Sequence, residues 1–378
     1  MFPKHKVSDI LNQERNNLGA ITTNSWQLRT LQAIRRCRTY EMGGHIDKCT
    51  SCEKLHISYN SCRNRHCPTC QGHKREQWIG ARSSELLPTS YFHVVFTIPH
   101  ELNPICMKYP KIMYAILFKT AWETLNQFSK NPKHLGAKIG MIGVLHTWGQ
   151  NLSLHPHLHC IIPAGGVNKN GDWKESKNKE KFLFNVKSIS KVFRAKFVAQ
   201  MRKELPKQDK SLHDKLFSKQ WVVYAKRPFG RPENIIEYLG RYSHKIAISN
   251  YRILAINRQK KEVTFSLKDY RKDGKKTVLT LKTKEFIRRF CLHILPKGFT
   301  RIRHYGILSS SWKKEKLPNL QQKMGAQKEV SKKEKETFLN KCPSCKVGDL
   351  VPIVVFNNRG PPPKYTYLLK LNITKSTD

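Results

Sequence analysis

Histidines alternate in one short segment of the sequence, His155-Pro156-His157-Leu158-His159. Residues two apart in a β-strand point to the same face, so His157 and His159 can present two imidazoles to one ion. Proline suits the first residue of a strand, so Pro156 is expected to begin it and His155 to lie just outside. Two neutral imidazoles leave most of a coordination sphere open, which suits a catalytic Mg²⁺ or Mn²⁺ that also holds a phosphate oxygen. A third protein ligand is expected, and the candidates are Gln150, His155 and His146.

Two tyrosines lie one helical turn apart, at Tyr238 and Tyr242. Their segment begins with Pro232 and Glu233, as the N-terminus of a helix often does, so the two phenols share a face. A phenol has a pKa near ~10 and attacks phosphorus only with help from a metal and from nearby cations, which Arg241 and Lys245 supply. Such an attack would leave a 5′-phosphotyrosine and a free 3′-hydroxyl. Two adjacent tyrosines would allow two strands to be held covalently in succession.

Two Cys-x-x-Cys pairs in the N-terminal part are typical of a structural zinc site. The four thiolates, from Cys49, Cys52, Cys67 and Cys70, are predicted to close one tetrahedron around Zn²⁺. Between the pairs, two further residues are possible ligands, Cys62 and His66. Arg63 and Arg65 lie beside the second pair, and a zinc unit with such a basic rim typically binds nucleic acid. DNA contacts are predicted for these two arginines and for Arg241 and Lys245, which lie beside the tyrosines.

The texture of the sequence divides the chain into three parts. Residues 1–87 hold six cysteines and are interpreted as a zinc-binding DNA-recognition domain. Residues 88–310 contain a mixture of strand and helix patterns and form the predicted catalytic domain. Residues 311–378 are interpreted as a basic linker and a partial zinc-ribbon-like tail. The tail holds Cys342 and Cys345 with no second pair after them, so it is either shortened or metal-free.

Apolar periodicity predicts the elements that must position these residues. Strands are predicted over 92–98, 139–146, 157–162, 221–225, 248–254 and 262–267, and helices over 110–128 and 192–205. Strands and helices are mixed without strict alternation. This mixture favours an α+β domain over a doubly wound one.

Charge narrows the class of partner. Lys and Arg total 70 against 27 Asp and Glu, a formal net charge of +43. A protein with this excess would repel itself unless its usual partner is a polyanion, and nucleic acid is the commonest one. The sequence has no apolar run long enough for a membrane span and no apolar stretch typical of a signal peptide. We therefore expect a cytoplasmic, nucleoid-associated protein whose 11 cysteines are thiols or metal ligands.

Taken together, these segments resemble the two-tyrosine rolling-circle transposases of the IS91 insertion-sequence family. The matching segments occur in the order of the family and are SCRNRHCPTCQ at 61–71, YFHVVFTIP at 91–99, HPHLH at 155–159 and YLGRY at 238–242. The resemblance implies a transposase zinc-binding domain, an antiparallel-sheet nuclease core of the HUH type and single-stranded DNA intermediates. It assigns the metal to His157 and His159 and the nucleophiles to Tyr238 and Tyr242.

The function expected from this resemblance is nicking and rejoining of single-stranded DNA through 5′-phosphotyrosine intermediates. One alternative is a plasmid replication initiator or a relaxase with the same chemistry, against which the N-terminal zinc pattern argues. A second is a non-catalytic zinc-containing nucleic-acid-binding protein whose histidines and tyrosines merely pack. The second alternative predicts that Tyr238→Phe leaves every activity intact, whereas the enzyme would lose its covalent DNA adducts.

Overall fold

A five-stranded antiparallel sheet lies at the centre of the protein. In this computed structural model the described residues are 3–22, 24–71, 79–176, 183–229, 246–269, 273–325 and 341–365. The strands of the chain are β1 Gly44–Cys49, β2 Leu55–Tyr59, β3 Tyr91–Thr97, β4 Gly140–Trp148, β5 Leu154–Pro163, β6 Gly165–Val167, β7 Trp173–Glu175, β8 Val223–Phe229, β9 Ile253–Asn257, β10 Glu262–Asp269, β11 Lys275–Lys282, β12 Ile302–Gly306 and β13 Leu350–Phe356. The strand order of the five-stranded sheet is β12-β4-β5-β3-β8. The antiparallel α+β fold predicted from the sequence is confirmed.

Some of the helices pack on the central sheet, and others pack in a second core. They are α1 Val7–Gln13, α2 Leu18–Ile21, α3 Ser25–Arg36, α4 Asn103–Lys108, α5 Pro110–Lys130, α6 Val186–Glu204, α7 Lys210–Ser218, α8 Thr283–Cys291, α9 Ser310–Lys314 and α10 Lys316–Lys323. Pro110 begins the long helix α5, where its missing N–H costs nothing. None of the helices among the described residues combines the length and apolar character that crossing a membrane requires.

The main hydrophobic core lies between one face of the central sheet and the helices α5 and α6. Alternate residues of the sheet enter this core, including Phe96, Leu145 and Leu158, none of which is exposed to solvent. Phe193 of α6 packs on Phe96 with ring centroids 4.8 Å apart. Because strand residues alternate between faces, the residues between these core positions point to the opposite face of the sheet.

A second core joins the N-terminal helices to the sheet β9–β11 and to helix α8. It contains Ile10 and Leu11 from α1 and Phe286 and Phe290 from α8, all essentially buried. Hydrogen bonds also connect these parts of the chain, for example from the indole Nε1 of Trp26 to the carbonyl of Leu295, over 3.0 Å. Residues between Val7 and Cys70 therefore share a core with Leu152 and with residues from Ala247 to Ile294.

A third sheet brings the two ends of the chain together. Strand β1 pairs with β2 on one side and with β13 on the other, both antiparallel, in the order β13-β1-β2. The register places Cys49 of β1 opposite Leu350 of β13. The C-terminal segment, interpreted from the sequence as a basic linker and a partial zinc-ribbon-like tail, thus supplies a strand to the N-terminal sheet.

Two local predictions are corrected by the structure. The strand expected over 248–254 is β9, which begins only at Ile253 because a 3₁₀ turn occupies Asn250–Arg252. Strand β5 begins at Leu154 rather than at Pro156, so His155 lies inside the strand. The proline is tolerated because the register of β4 against β5 shifts between His146 and Trp148, close to this position.

Candidate functional site

Three histidines meet on the two central strands of the five-stranded sheet. His146 of β4 lies directly opposite His157 of β5, and His159 follows two residues later on the same face. One ligand atom from each of the three lies within 4.8 Å of the other two. The intervening Leu145 and Leu158 point into the core beneath α5 and α6 and hold the strands in place. The period of two along both strands therefore sets the three imidazoles side by side.

The orientation of two of these rings is set through their Nδ1 atoms. Nδ1 of His159 lies 2.8 Å from Nε2 of His93, a buried histidine on β3. Nδ1 of His157 lies 2.6 Å from the backbone carbonyl of His155. Metal-binding histidines commonly use one ring nitrogen for such a partner and the other for the ion. In each ring this leaves Nε2 as the nitrogen that could bind an ion.

Among the candidates for a third ligand, the structure brings His146 into the cluster. It is 2% exposed and its ring stacks on Trp148 at 4.5 Å between centroids. His155 is exposed and does not join the group, although its ring lies 5.1 Å from that of His157. Gln150 lies in the turn between β4 and β5, where its backbone carbonyl accepts a hydrogen bond from Arg252.

The three imidazoles fit a divalent ion that must also bind a substrate. Nitrogen ligands from three histidines occupy half of an octahedral sphere and leave the rest for phosphate oxygens or water. His157 is the most exposed of the three, so the open side of the cluster faces solvent near it. The donor set and its geometry are therefore compatible with a metal at which a phosphodiester could be bound.

Cysteines form two separate clusters of four in the described part of the chain. The first consists of Cys37, Cys62, Cys67 and Cys70, and the second of Cys49, Cys52, Cys342 and Cys345. In the first, Sγ of Cys70 lies 3.4 Å from that of Cys37 and 3.6 Å from that of Cys62. Hydrogen bonding from the Cys62 thiol lowers the pKa of Cys37 to about 7. Four thiols this close favour a cation that stabilises their thiolates.

The prediction that Cys49, Cys52, Cys67 and Cys70 share one site is wrong in its grouping. The sheet pairing of β1 with β13 carries the first pair to the C-terminal cysteines, while helix α3 ends at Arg36 and brings Cys37 to the second pair. Cys62, a possible ligand in the sequence, joins Cys37. His66 does not join, and its Nε2 instead accepts a hydrogen bond from Nε of Arg65 over 3.3 Å.

Comparison with known proteins finds two family models that match the chain. A family model described as "Transposase zinc-binding domain" matches residues 8–98, and one described as "Putative transposase" matches residues 140–316. The chain is 40% identical over 368 residues to "Putative transposase y4qJ" of Sinorhizobium fredii, covering 89% of this chain and 92% of that relative. The chain belongs to the IS91 family of transposases.

A second relative supports the same assignment. The transposase is 27% identical over 311 residues to "Transposase for insertion sequence element IS801" of Pseudomonas savastanoi pv. phaseolicola, over 78% of this chain and 73% of the relative. No solved structure matches the chain. As a transposase, the protein is an enzyme that acts on DNA, and its cysteine clusters fit structural zinc.

The predicted nucleophiles of the transposase, Tyr238 and Tyr242, lie outside the described residues, as do Arg241 and Lys245. Their roles stay predictions. Strand β8, which precedes them in the sequence, pairs with β3, the strand that carries His93, and ends at Phe229 opposite Tyr91. The chain resumes in the described part at Ile246.

The two remaining predicted DNA contacts of the transposase differ in their surroundings. Arg63 is exposed, in a left-handed turn with φ 49° between two cysteines of the first cluster. Arg65 points inward, and its guanidinium donates to the backbone carbonyls of Pro296 and Phe299. Burial lowers the pKa of Arg65. The structure thus gives Arg65 a role in joining the zinc-binding domain to the catalytic part, and DNA contacts by either arginine stay predictions.

Sequence reasoning missed two groups of residues at these sites. Cys37 stands alone at the end of a helix, and its only signal was that Cys62, Cys67 and Cys70 needed a fourth thiolate. His93 lies in the apolar segment 91–99. The period-two pattern places it on the same face as Val95, and Val95 is the residue that pairs with His159. A polar residue in a buried strand needs a partner, and that requirement was the available signal.

Proposed function

We propose that this transposase nicks and rejoins single-stranded DNA through 5′-phosphotyrosine intermediates, in rolling-circle transposition of an insertion sequence. The observation that carries the proposal is the group of His146, His157 and His159 on adjacent strands of an antiparallel sheet. In this proposal Tyr238 and Tyr242 are the nucleophiles, and His157 and His159 hold a catalytic Mg²⁺ or Mn²⁺ with His146 as the third ligand.

The proposed reaction is a pair of transesterifications. The phenolate oxygen of a tyrosine attacks the scissile phosphorus, the bond from phosphorus to the 3′ oxygen breaks, and the leaving 3′ oxygen takes up a proton to become a free 3′-hydroxyl. The divalent ion supplies charge stabilisation for the phosphate and lowers the cost of the phenolate. In the reverse sense, a 3′-hydroxyl attacks the phosphotyrosine and restores a phosphodiester. No external energy source is needed, because each step exchanges one ester for another.

The protein groups around the histidines support this chemistry by positioning. His93 and the carbonyl of His155 restrict the rings of His159 and His157, so the ligand geometry exists before DNA arrives. Two tyrosines allow one strand to remain attached while a second is cut. Arg241 and Lys245, which flank Tyr242 in the sequence, are proposed to neutralise the phosphate during attack.

The net charge of the transposase supports DNA as its partner. The zinc-binding domain is proposed to recognise the ends of the insertion sequence. The net charge of +43 favours binding along a phosphate backbone with little sequence preference. Arg63 is exposed beside the first cysteine cluster, so we assign the reading of the element ends to this domain. In this arrangement the catalytic sheet cuts what the zinc-binding domain has bound.

The decisive experiment looks for covalent adducts. Purified transposase is incubated with Mn²⁺ or Mg²⁺ and end-labelled single-stranded oligonucleotides from the element ends, followed by denaturing electrophoresis with and without protease. We expect a protease-sensitive adduct that keeps the label on the 3′ side of the cut. It should disappear in the Tyr238→Phe/Tyr242→Phe double variant and in His157→Ala.

Matched controls separate chemistry from general damage. Tyr40→Phe removes the hydroxyl of a tyrosine that is 64% exposed and distant in sequence, and His100→Ala removes a histidine whose side chain is 82% exposed. Both controls should form adducts at the wild-type level. Tight binding of the correct ends with no adduct in any divalent ion would refute the proposal and favour a non-catalytic binding role.

A further inference from the structure

The second cysteine cluster is built from two turns of the same shape at opposite ends of the chain. Cys49 and Cys52 form one Cys-x-x-Cys turn, and Cys342 and Cys345 form the other. In each turn, the residue after the second cysteine donates its backbone N–H to the carbonyl of the first, over 3.1 Å at Glu53 and 2.9 Å at Lys346. Glu53 and Lys346 also share a left-handed backbone, with φ of 57° and 61°.

The sulfur atoms of the two turns face one another. Sγ of Cys49 lies 3.6 Å from Sγ of Cys345, and Sγ of Cys52 lies 3.7 Å from Sγ of Cys342. These partners are 296 and 290 residues apart in the sequence. All four sulfur atoms lie within 4.8 Å of one another, a spacing that matches the edges of a tetrahedron with bonds of about 2.3 Å.

Polar groups around the cluster are arranged to stabilise thiolates. The backbone N–H of Ser51 points at Sγ of Cys49 over 3.3 Å, and that of Gly348 at Sγ of Cys345 over 3.4 Å. Nε2 of His56 lies 3.3 Å from Sγ of Cys342. Hydrogen bonds to sulfur from the surrounding shell are the second layer that metal sites require.

The two turns also hold each other without the sulfur atoms. Thr50 donates its N–H to the carbonyl of Asp349 over 3.0 Å, and its hydroxyl oxygen accepts from the N–H of Asp349 over 3.0 Å. Gly348 permits this approach, because a Cβ at that position would lie 2.5 Å from Sγ of Cys49 and 2.7 Å from Oγ of Ser51. The contact between the turns is therefore formed by two backbone hydrogen-bonding groups of Asp349 and by the close approach that Gly348 allows.

We propose that Cys49, Cys52, Cys342 and Cys345 bind a second zinc ion, which fastens the C-terminal strand β13 to the zinc-binding domain. The matched zinc-binding region ends at residue 98 and the matched transposase region at 316, so neither contains the C-terminal cysteines. The site exists only when both ends of the chain meet. It closes the catalytic part of the chain into a loop, and a metal link across a long loop restricts the unfolded chain strongly.

Zinc content of the purified full-length protein tests the shared site directly. We expect two zinc ions per chain by elemental mass spectrometry, and one in Cys342→Ser/Cys345→Ser as well as in Cys49→Ser/Cys52→Ser. The quadruple variant should also retain one, because both pairs belong to the same ion. Cys106→Ala and Cys291→Ala, which remove buried cysteines outside both clusters, should retain two.

Other counts would overturn the proposal. One zinc ion in the wild type, an unchanged count in either pair variant, or losses that add in the quadruple variant would each refute a shared site. These counts do not depend on DNA cleavage, so they stand or fall separately from the proposed tyrosine chemistry.

A measurement on the wild-type protein avoids any effect of substitution on folding. Cys52 and Cys345 are partly exposed, so their thiols can react with an alkylating reagent when no metal holds them. We expect both to be protected in the native protein and to become labelled at the same rate after a chelator is added. Labelling of Cys345 without chelator, or a disulfide between cysteines of this cluster, would contradict the proposal.

Discussion

The hydrogen bond between His93 and His159 offers a sharp test of how the candidate metal site is organised. The two nitrogens are 2.8 Å apart, and the side chains belong to residues only 3% and 8% exposed. His93→Phe keeps a ring of similar size in the buried position and removes the partner of Nδ1. The ring of His159 then loses the contact that sets its tautomer and its orientation toward the metal.

The expected loss follows from the burial of this contact. Removing one partner of a buried hydrogen bond costs about 1–3 kcal/mol. Loss of such a partner of a metal-binding histidine weakens metal affinity about 10–100-fold, which corresponds to about 1.4–2.7 kcal/mol. We therefore expect the dissociation constant for Mn²⁺, measured by titration calorimetry on the full-length protein, to rise by this factor in His93→Phe.

Two comparisons make the result interpretable. His100→Phe changes an exposed histidine and should leave Mn²⁺ affinity unaltered. His93→Gln restores a polar group and should recover part of the affinity. An unaltered dissociation constant in a folded His93→Phe protein would refute the reasoning that β3 organises the ligands of β5.

Three further predictions concern stability and binding. Arg65→Met leaves the carbonyls of Pro296 and Phe299 without their donor, so the free energy of unfolding, measured in urea, should fall by about 2–4 kcal/mol. The control Arg258→Met changes an exposed arginine and should alter the free energy of unfolding by less than about 0.5 kcal/mol. Equal effects of the two substitutions would contradict this prediction. Burial lowers the pKa of His293 from 6.5 to about 4. The unfolded chain therefore binds this proton first as the pH falls, so stability is full above about pH 6.5, declines toward pH 4, and should decline less in His293→Gln. Affinity for single-stranded DNA should fall by about 10³ or more between about 50 and 200 mM salt, and a flat response would refute binding through phosphates.

The parts of the chain that differ in composition pack against one another in the structure. The change of composition near residue 87 predicted the boundary of an N-terminal zinc-binding domain. In the structure, Leu11 and Ile34 share a core with Phe286 and Phe290, and Arg65 binds carbonyls at 296 and 299. Movements of the zinc-binding domain relative to the catalytic sheet would have to break these contacts.

The sequence by itself determined the features that depend on local periodicity. Alternation of apolar and polar residues along 92–98 and 157–162 predicted strands, and the period of two placed His157 and His159 on one face, as observed. Helix α5 was predicted from 110 to 128 and runs over Pro110–Lys130. The Cys-x-x-Cys spacing likewise predicted turns that present two sulfurs each, because the shape of such a turn depends on a few consecutive residues.

Only the tertiary structure decided which of these local units meet. A Cys-x-x-Cys turn contains nothing that selects its partner pair. The sequence therefore predicted that Cys49 shares a site with the nearest pair, Cys67 and Cys70. The pairing of β1 with β13 instead brings Cys345 to it from 296 residues away. The same holds for His146 and His93, which reach His159 through the order of strands in the sheet. Strand order and register are set by burial and long-range hydrogen bonding over the whole chain, and no short window of sequence contains that information.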